Sequence, residues 1–151
     1  MGQIVDSNPL AIIVAQVGSP TDLSATPFGG RRRAPIIGGT VSGRLVGQVI
    51  PGGADWQTVR SDGCLEIDAR YVLDIGGDFV EVATMGLRTA TSDVLAQLMR
   101  RVTVASYKNY FRTAVRSRTS AADLAHLKIF LAIAVGERLR DSARLTVHVV
   151  L

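Results

Sequence analysis

The sequence predicts an all-β protein with two short helices, folded as an antiparallel β-barrel of roughly 8–10 strands around a central cavity. Three observations lead there. From Gly63 to Asp74 the residues alternate, with Leu65, Ile67, Ala69, Tyr71 and Leu73 on one side and Cys64, Glu66, Asp68, Arg70 and Val72 on the other. Glycines interrupt extended apolar stretches at Gly38, Gly39, Gly43 and Gly47, as the bends of a closing sheet require. Gly76-Gly77 separates two strand-like runs and marks a hairpin.

The elements follow in order. A chain of 151 residues suits a single domain, here residues 9–151, preceded by a frayed start at 1–8. Leu10–Val17 reads as the first strand. Gly18–Arg33 carries Pro20, Pro27 and Gly29-Gly30 and reads as a long loop. Ala34–Ile50 is extended and bent. Pro51-Gly52-Gly53-Ala54-Asp55-Trp56 forms a glycine-rich elbow. A turn at Ser61-Asp62-Gly63 leads into the alternating strand Gly63–Asp74, and Phe79–Leu87 returns beside it. Thr91 or Ser92 caps a helix over Asp93–Arg100, with an acid in its first turn and arginine at its end. Val102–Arg118 is a long bent strand, and Ser120 caps a second short helix through Leu127. Ile129–Arg138 and Arg144–Leu151 form the last hairpin. Hairpin-length connections favour a barrel or a sandwich, and the glycine bends favour a barrel of the lipocalin or calycin kind, with room for one small ligand.

Charge and composition remove several classes of function. The net charge is +4, and lysine occurs only at Lys108 and Lys128. Arg31-Arg32-Arg33 reads as a solvated basic run, because no face interleaves basic and aromatic residues as a nucleic-acid surface does. Leu10–Val17 is too short to span a membrane and has no basic segment before it, so no membrane partner is expected and the cytoplasm is the default location. Cys64 has no cysteine partner and reads as a buried thiol. His126 and His148 are the only histidines, far apart in sequence, so neither a metal nor another cofactor is expected. Serine-nucleophile, phosphate-loop and dinucleotide motifs are absent.

The candidate site residues come from the elbow and the strands. Asp55 beside Trp56 pairs an acid with a large indole. Desolvation there would raise the carboxyl and make it a usable acid or base, and the indole would stack on a ligand. The plain structural alternative has Asp55 bonding its own turn and Trp56 plugging one end of the barrel. Asp68 and Arg70 share a strand face. If that face looks inward they join the catalytic set with Asp55; if it looks outward, Tyr71 is the inward ligand contact. Tyr110 and Arg112 share another face, where arginine suits a carboxylate or enolate. His148 alternates with Val147 and Val149, so it faces solvent or the cavity.

Taken together, Gly38-Gly39-Thr40, Pro51-Gly52-Gly53-Ala54-Asp55-Trp56, Asp68-Ala69-Arg70-Tyr71, Tyr110-Phe111-Arg112-Thr113 and Gly136-Glu137-Arg138 resemble a bacterial and fungal family, the domain of unknown function 3237, also called uncharacterised protein family 0311. The resemblance runs from about Pro9 to Leu151 and implies a compact antiparallel barrel with a central cavity. It carries no established activity. The chain departs from the family's pattern at His126-Leu127-Lys128, where tryptophan-leucine-asparagine is expected, and at His148, where a tyrosine is expected. These changes add His126, Lys128 and His148 to the ligand-binding candidates, unless they are surface drift.

Three functions compete. The leading one is a cofactor-free isomerase, cyclase, hydratase or lyase that moves a proton on a small apolar or aromatic metabolite. Asp55 or Asp68 would act as base, with Arg70, Arg112 or Tyr71 stabilising negative charge. The alternatives are a carrier or sensor of a lipophilic compound, and a solid structural subunit. The apolar Phe130–Val135 run offers a seam for a homodimer.

Overall fold

The computed structural model describes residues 2–100 and 109–151. Among these residues the strands are β1 (Ala11–Val17), β2 (Thr21–Thr26), β3 (Gly29–Gly43), β4 (Gly47–Val59), β5 (Leu65–Ile75), β6 (Asp78–Ala90), β7 (Asn109–Arg118), β8 (Ala132–Arg138) and β9 (Ser142–Val149). Helix α1 (Ser92–Met99) follows β6, and a 3-10 helix (Ala122–Lys128) follows β7. Every pairing is antiparallel. Strands β3 to β9 pair in sequence, and β1 pairs with both β9 and β3, so eight strands close a barrel. Strand β2 stands outside the ring. It pairs with the first half of β3 while β1 pairs with the second half.

The stretch read as a long loop, Gly18–Arg33, is therefore a correction. It forms β2 and the start of β3, a ladder that runs from Thr21–Arg33 to Thr26–Gly29. The elbow is also absorbed, as a bulge inside β4. Ile50 pairs with Val72 and Ala54 with Arg70, so β4 advances four residues where β5 advances two. Gly52 sits there at φ +117°, a backbone region that side chains disfavour. The surplus is even, so both Val49 and Asp55 face inward.

Thr91 caps α1, its Oγ1 accepting the Val94 N–H at 3.4 Å. Ser120 does not cap the second helix, which starts after Ala121 with no side-chain cap. Thr119 Oγ1 accepts the Ala121 N–H instead. Residues 102–108 of the expected long strand lie outside the described residues. The start expected to fray is tied down, with Val5 bridging Val150 and the Asp6 N–H donating to the Val149 carbonyl.

The two ends of the barrel differ. Toward Ala11, Val49, Leu73 and Val80 the interior is apolar, and the 3-10 helix adds buried Leu124 and Leu127 to that cluster. Burying such side chains contributes about 1.5–3 kcal/mol each. The opposite end, where β4 and β6 finish and β5 and β7 begin, holds charges.

Candidate functional site

Strand alternation carries the polar residues inward at this second end. Asp55 and Gln57 share the inner face of β4, Arg32 points in from β3, Arg88 from β6 and Arg138 from β8, around the Phe111 ring of β7. They line a cavity of about 120 Å³. Gly136 makes room for Phe111, because a Cβ there would stand 2.4 Å from the ring.

A chain of hydrogen bonds fixes the carboxylate. Gln57 Nε2 donates to Asp55 Oδ2 at 2.6 Å, and the Asp68 backbone N–H donates to Asp55 Oδ1 at 3.0 Å. Arg32 Nε in turn donates to Gln57 Oε1 at 2.5 Å. Burial pushes the Asp55 carboxyl above the usual carboxylate range, against the opposing pull of Gln57, the Asp68 N–H, Arg88 and Arg32.

Arg88 is only 7% exposed, and its Nε finds no acceptor among the described residues. Burial pushes its guanidinium down to about 10, Arg138 and Arg32 add repulsion, and Asp55 attracts it. The group still carries its charge at neutral pH. Deeper in the barrel, Tyr71 Oη, Thr84 Oγ1 and Thr113 Oγ1 are also buried without a partner among the described residues. Burial, with Asp55 second, raises the Tyr71 phenol, so Tyr71 is held as a neutral hydroxyl. Buried polar atoms normally find partners. Of these four groups, Arg88 alone lines the cavity.

The structure brings Asp55 and Tyr71 of the expected residues into the interior. Alternation sends the others outward. Trp56 is 41% exposed on the outer face, with the Arg33 guanidinium 5.6 Å from its ring centroid. It is neither a plug nor part of the cavity. Asp68 and Arg70 lie on the outer face of β5, because Ala69 and Tyr71 take the inner one. Asp68 touches the site through its backbone alone. Arg70 borders an outer groove with Glu81, Arg116 and Arg118. Tyr110, 52% exposed, and Arg112 pack together on the outer face of β7 at 5.2 Å. His126 and Lys128 are exposed on the 3-10 helix, and His148 places Nδ1 2.9 Å from the Asp6 carbonyl on the outside of β9. The Phe130–Val135 run divides: Phe130, Leu131 and Ile133 are exposed, while Ala132 and Ala134 are buried.

Sequence reasoning missed Arg32, Gln57, Arg88 and Arg138. Parity was the available signal. Gln57 follows Asp55 by two, and Arg88 continues the inward series Val80, Val82, Thr84 and Gly86. The Arg31–Arg33 run is in a strand, so only Arg32 turns in; Arg31 bonds Thr58 Oγ1 at 2.7 Å.

Among the described residues, no three metal-ligating side chains come together and no helix is long and apolar enough to cross a membrane. The family described as protein of unknown function (DUF3237) matches residues 6–150. A UPF0311 protein of Bradyrhizobium diazoefficiens is 32% identical over the whole of both chains. The crystal structure of a conserved protein of unknown function from Rhodopseudomonas palustris superposes with a TM-score of 0.92 at 32% identity, covering all of both chains. That of an enzyme from Penicillium herquei superposes with a TM-score of 0.70 at 17% identity, covering 99% of this chain and 97% of the other. The last likeness establishes a shared fold only.

Proposed function

The chain belongs to the DUF3237 family of barrel proteins, and from the interior of its barrel we propose a cofactor-independent enzyme that moves a proton on a small, largely apolar or aromatic molecule. Asp55 is the acid or base. It is buried, oriented by Gln57 and the Asp68 N–H, and shifted toward neutrality by desolvation. Arg88 faces the negative charge that a carbonyl oxygen gains when its neighbouring carbon gives up a proton. Asp55 takes that proton and returns it to a second position on the same molecule, so the net reaction is an isomerisation or ring closure without redox change. Tyr71, deeper in the barrel, offers a neutral hydroxyl as donor. Barrels of this fold include an enzyme in Penicillium herquei, at an identity that carries the fold and no chemistry.

The observation that carries this reading is a desolvated carboxylate held by two hydrogen bonds beside a guanidinium with an unused N–H. A carrier of lipophilic compounds has no need of that pair. The test is solvent-deuterium exchange. Small aromatic ketones and enols are incubated with the protein in D₂O, and proton loss at carbon is followed by NMR. Wild-type protein is expected to speed exchange on a subset of them. Asp55→Asn is expected to lose at least about 100-fold, the low end of what general acid–base groups supply, while keeping the fold. Equal exchange in the two proteins removes Asp55 from the chemistry. Binding with no exchange in either favours the carrier.

A further inference from the structure

Arg32, Arg88 and Arg138 line the cavity together with the carboxylate Asp55. Arg32 has help, since it donates to Gln57 and feels Asp22 as well as Asp55. Arg138 is engaged too, with Nη1 donating to the Ser142 carbonyl at 2.8 Å. Arg88 is different. It is more than nine-tenths buried, it lines the cavity, and its Nε has no acceptor among the described residues. A buried guanidinium N–H left without an acceptor costs stability. Its position is explained by an acceptor that arrives with the ligand.

The shape narrows the choice. Leu65, Ile67 and Phe111 give the same cavity an apolar wall. A cavity of about 150 Å³ holds benzene, so one of about 120 Å³ limits its occupant to no more than a single ring. Guanidinium forks favour planar oxyanions.

Resting on the reading of this cavity as the working site, we infer that its ligand is a small planar organic anion, a ring whose negative charge sits on oxygen, docked with that oxygen on Arg88. The class covers carboxylates and phenolate- or enolate-type oxyanions, which share the same recognition chemistry. An anion beside Asp55 also favours the protonated form of that carboxyl, so with such a ligand the same proton shuttle runs in the other order, Asp55 first giving its proton and then taking one back from a second position.

The experiment titrates three probes into the full chain and follows binding by NMR and calorimetry. The probes are benzoate, 4-nitrophenolate above its own pKa, and benzamide as the neutral counterpart of benzoate. At least one anion is expected to bind at least about 10-fold more tightly than benzamide, about 1.4 kcal/mol. Whichever anion binds more tightly identifies the head group. Arg88→Met is expected to abolish the preference, and Arg88→Lys to retain part of it. Benzamide binding as well as both anions, no binding of either anion, or an undiminished preference in Arg88→Met overturns the inference. Should Arg88→Met fail to fold, Asp55→Asn decides. Removing the competing negative charge is expected to tighten anion binding several-fold, and unchanged or weaker binding counts against the proposal. Anion preference without Asp55-dependent exchange leaves this inference standing and removes the proposed enzyme. Exchange on neutral compounds without anion preference does the reverse.

Discussion

Asp55 and Tyr71 show how strand parity turns sequence into chemistry. Each is flanked by side chains that point to the outer face, and each enters an interior where desolvation governs its protons. Asp55 has a folded-state pKa above its ordinary value of 3.8. Its contribution to stability is therefore fully present below the unfolded pKa and is lost as pH rises through the folded one. Thermal unfolding from pH 4 to pH 8 is expected to show wild-type protein losing ground to Asp55→Asn as pH rises, with a flatter profile in the variant. Parallel profiles would contradict the burial. Tyr71 buries a hydroxyl without a partner among the described residues, so Tyr71→Phe is expected to hold or gain up to about 1 kcal/mol. A loss above about 1 kcal/mol in denaturant titration would mean that this hydroxyl has a fixed partner in the free protein.

At the scale of the element, the alternation in β5 was legible because its inner series is wholly apolar. Leu65, Ile67, Ala69, Tyr71 and Leu73 are all buried, and the hairpin at Gly76-Gly77 followed from its two glycines. The inner faces of β4 and β6 were harder to read. Asp55, Gln57 and Arg88 are polar residues on core-facing positions, and a pattern that equates polar with outward assigns them to solvent. Thus Asp68 and Arg70 were credible interior candidates, while Arg88 was passed over. Strand β2 was missed because its residues are almost all exposed, which leaves no apolar periodicity to see. Close packing across β7 and β8 gives a further test. Gly136→Ala puts a methyl group 2.4 Å from the Phe111 ring and is expected to cost about 1–3 kcal/mol. Pairing it with Phe111→Leu is expected to restore part of that loss, measured as a non-additive double-mutant cycle. Additive losses would mean that the two residues do not compete for space.

The whole molecule divides its labour between its ends. The apolar end, with the 3-10 helix laid against it, supplies stability; the charged end gives some of it up. Removing both charges together, as Arg88→Met with Asp55→Asn, is accordingly expected to leave the free protein as stable as wild type or more so, by up to about 3 kcal/mol, as for other buried ion pairs exchanged for uncharged residues. Arg88→Met alone is expected to lose anion binding. A strongly destabilised double variant would instead make the pair a structural one. The measurement that reaches the central claim most directly is a carboxyl-carbon NMR titration of Asp55, run with and without benzoate. The expected result is an Asp55 resonance that titrates above the exposed carboxylates and moves further upward when benzoate binds. An Asp55 that titrates with the surface acids and ignores benzoate would contradict it.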